Sequence, residues 1–317
     1  MKRPFVVLAG PTAVGKSELS IELAKRIGGA VISADSIQVY KYMDIGSAKI
    51  TKEEMQGVDH YLVDEFLPDE EFHVVKFQQY AKKYMEEIYQ KGQIPILVGG
   101  TGFYIQAILK DIDFSEQESD EAYRHEMEKL AAEKGAEYLH EMLRKVDEKS
   151  AKEIHANNVK RVIRALEYYH LSGQKISEHN EKERQKQSPY NFAYFVLNDD
   201  REKIYEKIDR RVELMLDHGL VDEVRHLKEM GYGKELVSMQ GLGYKEILSY
   251  LDGEISYEEA VYILKRDTRH FAKRQLTWFK RESDVIWVNK PDFSYNNGEI
   301  LNFMEEILKE KKIIKNS

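Results

Sequence analysis

Near the start of the chain, Gly10, Pro11, Thr12, Ala13, Val14, Gly15, Lys16 and Ser17 fit the spacing G-x-x-x-x-G-K-[ST]. The apolar run Phe5–Ala9 lies directly before them, so a strand delivers the chain into a loop whose backbone N–H groups can wrap an anionic phosphate. Gly10 and Gly15 permit the tight path, Lys16 adds a point charge, and Ser17 supplies a hydroxyl for Mg²⁺. Such a loop grips a phosphate without specifying whether it is transferred, hydrolysed or expelled.

Other segments carry groups that could work on that phosphate. Asp35 follows the second apolar run, at the carboxyl end of its strand and on the same rim as the loop; a carboxylate there can take a proton or hold Mg²⁺. An ordinary turn aspartate is the alternative. The fourth run ends in Gly99-Gly-Thr-Gly102, where the glycines allow close backbone approach and Thr101 offers a hydroxyl to a phosphate or leaving-group oxygen. A tight turn capped by Thr101 would leave the same trace. Basic residues gather at Lys160, Arg161 and Arg164, and again from Lys265 to Arg281, where Asp267 is the one acid. In the second cluster Gln275, Thr277, Trp278 and Phe279 mix hydrogen-bonding and stacking groups with charge, as RNA-gripping surfaces do. A solvated helix face beside a core tryptophan is the plainer reading. Arg210 and Arg211 suit either a diphosphate clamp or surface pairs with Glu206 and Glu213.

These groups need a scaffold, and the hydrophobic pattern describes one. Short apolar runs at Phe5–Ala9, Ala30–Ser33, Tyr61–Val63 and Ile94–Val98 alternate with helical periodicity, predicting buried parallel strands in a doubly wound sheet. After Leu109 the chain becomes highly charged and reads as helices, with faces at Tyr138, Met142 and Val146, then Val159, Ile163, Leu166 and Tyr169. Strand signals resume at Phe192–Leu197 and Val285–Val288. The expected architecture is an α/β fold, a P-loop NTPase-like doubly wound parallel sheet with a helical insertion domain. Its core is discontinuous, residues 1–112 and 190–317, and the insertion spans residues 113–189. A last helix covers Ile300–Ile307, and the lysine-rich tail from Lys309 to Lys315 is expected to fray.

Composition narrows the class. The 317 residues are 42% hydrophobic, enough for a substantial core, and the formal charge of −8 argues against a wholly basic RNA-binding surface, though not against local basic grooves. With no cysteine, disulfides, thiolate zinc sites and a cysteine nucleophile are excluded. No apolar run approaches the ~18 residues of a membrane span, and no signal-peptide pattern precedes the first strand; a cytoplasmic monomer is expected.

In their order along the chain, these motifs resemble the bacterial tRNA dimethylallyltransferase family, also called tRNA isopentenyltransferase. The resemblance runs nearly end to end and is carried by Gly10–Ser17, Ala34-Asp-Ser-Ile-Gln-Val-Tyr40, Ile45-Gly-Ser-Ala-Lys49, His60-Tyr-Leu-Val-Asp64, Gly99-Gly-Thr-Gly-Phe-Tyr104, Arg161-Val-Ile-Arg-Ala-Leu-Glu167, Gln240-Gly-Leu-Gly-Tyr-Lys245 and Thr268 to Trp278. Ser47 stands where threonine is usual, Phe103 where leucine is common, and Ala156 where proline often follows the histidine.

The resemblance implies transfer of a dimethylallyl group from its diphosphate to N6 of the adenosine just 3′ of the tRNA anticodon. In that picture the loop, Lys16, Thr101, Arg211 and Mg²⁺ on Ser17 hold the departing diphosphate, and Asp35 is the general base. The same likeness assigns tRNA contacts to Asp35, Ser36, Ile37 and Gln38, to Arg124, and to Asn158, Val159, Lys160, Arg161 and Val162. It adds Gln240 and Gly241, then Arg269, Lys273, Arg274, Gln275 and Trp278, with the insertion gripping the anticodon loop. A small-molecule kinase would use Lys16 and Ser17 equally well, but gives the basic tryptophan-bearing segment no task. A prenyltransferase acting on free nucleotides has no need of the long helical insert, and a tRNA-binding module with a vestigial loop would not need Lys16, Ser17, Asp35 and Thr101 together.

Overall fold

The computed structural model describes residues 2–114 and 120–315. Six strands form one sheet: β1 (Arg3–Ala9), β2 (Gly29–Ala34), β3 (His60–Tyr61), β4 (Ile94–Gly99), β5 (Tyr190–Asn198) and β6 (Val285–Asn289). Their order is β3-β2-β4-β1-β5-β6, and every pairing is parallel. The near-continuous apolar runs follow from this, because helices cover both faces and successive side chains enter different cores. Val7, Ile32, Leu97 and Tyr194 pack on one side with Phe77, Ile105, Val212 and Leu264. Val6, Leu8, Val31 and Phe195 pack on the other with Leu23, Ile300 and Met304.

Register decides what the sheet can present. Ala9 pairs with Gly99 and Gly99 with Ala34, so β1, β4 and β2 end level with one another. The next residues along each strand are Gly10, Gly100 and Asp35. The third strand, predicted at Tyr61–Val63, is His60–Tyr61, because Leu62 has φ 60 and leaves extended geometry.

The chain divides into two compact units, Met1–Leu109 with Pro189–Ser317, and Lys110–Ser188. In the second, the helices Glu121–Lys134, Ala136–Val146, Glu148–Glu153, Val159–Ser172 and Ile176–Gln185 surround their own core of Leu139, Leu143, Val162, Ile163 and Leu166. Here the inward face is turned from the predicted one: Met142 and Val146 pack against the core, but Tyr138 does not. Leu139 and Leu143 are fully buried while Tyr138 is 42% exposed, beneath the ammonium of Lys134. A helical period fits both registers, and the aliphatic pair fills the core while Tyr138 keeps its hydroxyl in water.

The C-terminal helix runs Asn297–Glu310, past the predicted end, and the tail beyond it does not fray as expected. Ile313 returns to the core, its N–H donating to Leu308. Ile313→Ala should therefore cost about 2–4 kcal/mol of unfolding free energy, read from the denaturant midpoint; an unchanged midpoint would mean that the tail contributes nothing.

Candidate active site

The phosphate loop bends around two glycines at left-handed φ. Gly10 has φ 147, and a Cβ there would lie 2.6 Å from the carbonyl oxygen of Leu197; Gly15 has φ 96 and opens the helix Lys16–Ile27. No side chain caps that helix, so its first N–H groups remain available to an anion on the sheet's carboxyl rim. Lys16 curls over the loop, its Nζ donating to the carbonyls of Pro11 (2.8 Å) and Gly10 (3.0 Å). Removal of this ammonium from water, reinforced by the nearby Arg211 cation, lowers its pKa to about 7. Burial also lowers the pKa of Arg211, whose guanidinium donates to Thr12 Oγ1 at 3.3 Å. Asp35 is the acid whose charge opposes both shifts. Two half-buried cations beside uncapped amides make a site for a strongly charged anion.

That anion site is a cleft of about 450 Å³, with Lys16, Ser17, Gln38, Lys207 and Arg211 among its walls. It adjoins a chamber of about 470 Å³ whose walls include Tyr40, Phe72, Tyr104, Val212, Met215 and Leu264. Thr12, Asp35, Ser47, Arg211 and Phe271 border both spaces. The site thus has a charged end and an apolar end, and a carboxylate where they meet.

Asp35 satisfies the turn reading and keeps chemistry in reserve. Oδ1 accepts from the N–H groups of Ile37 (2.9 Å) and Gln38 (3.3 Å), while Oδ2 has no hydrogen bond among the described residues. Thr101 lines the chamber rather than the cleft, and its N–H donates to Ala34 at 3.3 Å. Ser36, Ile37, Gln240 and Gly241 border the chamber.

The 23-residue helix Tyr257–Phe279 distributes its polar groups over different tasks. Arg274 borders the chamber and also an outer pocket of about 430 Å³ with Lys273 and Trp278. Arg269 makes a two-oxygen ion pair with Asp209 at 2.7 and 2.8 Å. Trp278 packs so closely on Gly102 that a Cβ there would overlap its ring. Gln275 turns inward to the loop.

In the helical unit, Asn158, Lys160 and Arg161 are exposed, Val159 is half-buried, and Val162 is fully buried, which leaves its side chain out of reach of a ligand. Arg124 Nε (2.8 Å) and Arg164 (3.0 Å) converge on Glu167, which is 0% exposed.

Two contributors escaped the sequence reading. Lys207 lies one helical turn before Arg211 and borders the same cleft, paired at 2.6 Å with buried Asp199; the i,i+4 spacing was a usable signal. Glu223 accepts from the N–H groups of Asp44 (2.9 Å), Ile45 (2.7 Å) and Gly46 (3.0 Å) and from the Tyr244 hydroxyl (2.9 Å), anchoring the turn before Ser47. Nothing marks it among the acids of an amphipathic helix.

Known proteins resemble this chain in sequence and fold. Residues 38–282 match the family described as IPP transferase. The chain is 64% identical over 313 residues to a tRNA dimethylallyltransferase of Lachnoclostridium phytofermentans, covering 99% of this chain and 100% of that one. Its fold resembles the full-length tRNA isopentenylpyrophosphate transferase of Bacillus halodurans, with TM-score 0.74, 45% identity and 98% of each chain covered. It also resembles a eukaryotic dimethylallyltransferase acting on tRNA, with TM-score 0.78 and 29% identity over 92% of this chain and 75% of that one. The family match over residues 38–282, with a relative 64% identical over nearly the whole length, means that the chain belongs to the IPP transferase family.

Proposed function

We propose that the protein transfers a dimethylallyl group from dimethylallyl diphosphate to N6 of adenosine 37, just 3′ of the tRNA anticodon, releasing diphosphate. The observation that carries this is the union of a cationic anion cleft with an apolar chamber, with Asp35 bordering both. The diphosphate belongs on the loop, and the five-carbon chain and the adenine belong in the chamber.

An exocyclic aromatic amine is a weak nucleophile, so the rate depends on stabilising the leaving group and removing the proton within one closed site. The N6 lone pair forms the new C–N bond as the C1–O bond breaks; the bonding pair leaves on the diphosphate, and the N6 proton passes to Asp35. Lys16, Arg211 and the loop amides hold the developing charge, and Thr101 assists from the chamber side. Mg²⁺ fits at Ser17, which is exposed in the cleft. Among the described residues no cluster of three or more His, Asp or Glu side chains could cage a metal, so the remaining ligands would be diphosphate oxygens and water. Bound there, Mg²⁺ supplies charge neutralisation to the leaving group.

The adenine must leave its stack to reach Asp35. Arg274, Lys273 and Trp278 in the outer pocket, with Gln240 and Gly241 at the chamber, suit the RNA end of the site. Arg124, Asn158, Lys160 and Arg161 belong to the helical unit, the insertion we assign to the anticodon loop of a monomeric enzyme.

Incubation with labelled dimethylallyl diphosphate and either an anticodon stem-loop or free AMP tests the acceptor. Label should enter the RNA alone; label in AMP, or ATP consumption with no label transferred, would sink the reading. Asp35→Ala should lower the transfer rate by about 10²–10⁴-fold with stem-loop affinity little changed, and near-normal turnover would remove Asp35 as base. Stem-loop binding should weaken steeply with salt despite the net charge of −8, and a flat dependence would exclude phosphate contacts.

Lys16 adds a pH signature. Its pKa near 7 rises when an anion binds beside it, so binding takes up a proton between the free and bound values. The affinity advantage of the unaltered protein over Lys16→Met for the diphosphate should be full below about pH 7 and shrink as pH rises above it. Calorimetry in two buffers of different ionisation heat reads the proton directly; an advantage that does not change with pH would contradict the assignment.

A further inference from the structure

Gln275 sits within the basic stretch Lys265–Arg281, near the end of its helix, yet is only 7% exposed, and both ends of its amide are engaged by main chain. Oε1 accepts from the N–H of Thr12 at 2.9 Å, and Nε2 donates to the carbonyl of Gly100 at 3.1 Å. The fit is close enough that a Cβ on Gly100 would overlap Nε2. Gln275 borders the anion cleft and does not border the outer pocket formed by Lys273, Arg274 and Trp278. The engaged Thr12 amide is thereby withheld from phosphate, and the spacing between the phosphate loop and the Gly100–Thr101 turn is set by one side chain. Glutamine suits the position because one end must donate and the other accept, with no net charge beside the leaving diphosphate.

We propose that Gln275 is a positioning residue of the diphosphate site rather than a tRNA contact, a strut that fixes the loop against the Gly100–Thr101 turn and joins both to the RNA-facing helix. The helix would then serve both substrates from neighbouring faces, with Arg274 and Trp278 lining the outer pocket and Gln275 facing the loop. This rests on the reading of the cleft as the seat of dimethylallyl diphosphate.

Gln275→Glu keeps the size and the acceptor, loses the donor to Gly100, and places a negative charge at the cleft. The KM for dimethylallyl diphosphate should rise by about tenfold or more while the Kd for an anticodon stem-loop stays within about twofold. Loss of stem-loop affinity with an unchanged KM for the diphosphate would overturn the proposal, and so would no change in either. A second measurement needs no variant: in the substrate-free protein, hydrogen exchange at the Thr12 amide should be slower than at exposed loop amides, and exchange at the exposed-loop rate would mean that no strut exists. If the unaltered enzyme fails to use dimethylallyl diphosphate at all, the functional reading falls instead.

Discussion

Everything at this site depends on three parallel strands ending at one level. With Ala9, Gly99 and Ala34 in register, the phosphate loop, the Gly100–Thr101 turn and Asp35 emerge side by side without any long connection having to place them. A slip of one residue in either pairing would invert the faces of a strand that is buried on both sides, so the two cores enforce the register. The smallest side chains lie where these strands end. Gly99 lies so close to the Ala34 carbonyl that a Cβ would overlap it, which keeps the strand ends as near as main chain permits.

On that rim the electrostatic arrangement is deliberately unbalanced. Burying Lys16 near Arg211 costs folding free energy, and Asp35 offsets only part of it. The imbalance is relieved when a polyanion arrives, so affinity for such an anion is written into the free protein as a deficit. The adjoining chamber has the opposite character, with aromatic and aliphatic walls suited to carbon rather than charge. In the proposed reaction, charge separation would run from an apolar space toward a prepared cationic one.

Much of this could be read from residue order. The parallel sheet follows from apolar runs punctuated by turns, and the loop from glycine and lysine spacing. The position of Asp35 follows from its place just after a strand. What stayed hidden depends on direction rather than type. Gln275 looks like one more hydrogen-bonding group on a basic helix until its amide is seen facing the loop. Leu139 and Tyr138 differ by one residue along a helix, and periodicity alone does not choose between them. Glu223 works by holding three consecutive amides of a distant turn, a relationship that no local pattern records. Ile313 lies beyond a lysine-rich helix end that by composition resembles a loose tail, and its burial, with Ile314 beside it and the Lys311 carbonyl accepting from Asn191, fastens it.

The pairing of Arg124 and Arg164 on the fully buried Glu167 has a consequence for recognition. Long arginine side chains ordinarily lose rotamer freedom at the moment they meet a partner, and association bears that entropy. Here the loss is taken during folding, because one carboxylate already fixes both guanidinium groups. If Arg124 contacts tRNA as proposed, a phosphate reaching this pair would meet oriented donors instead of mobile ones, and less ordering would offset the attraction than at an ordinary surface arginine.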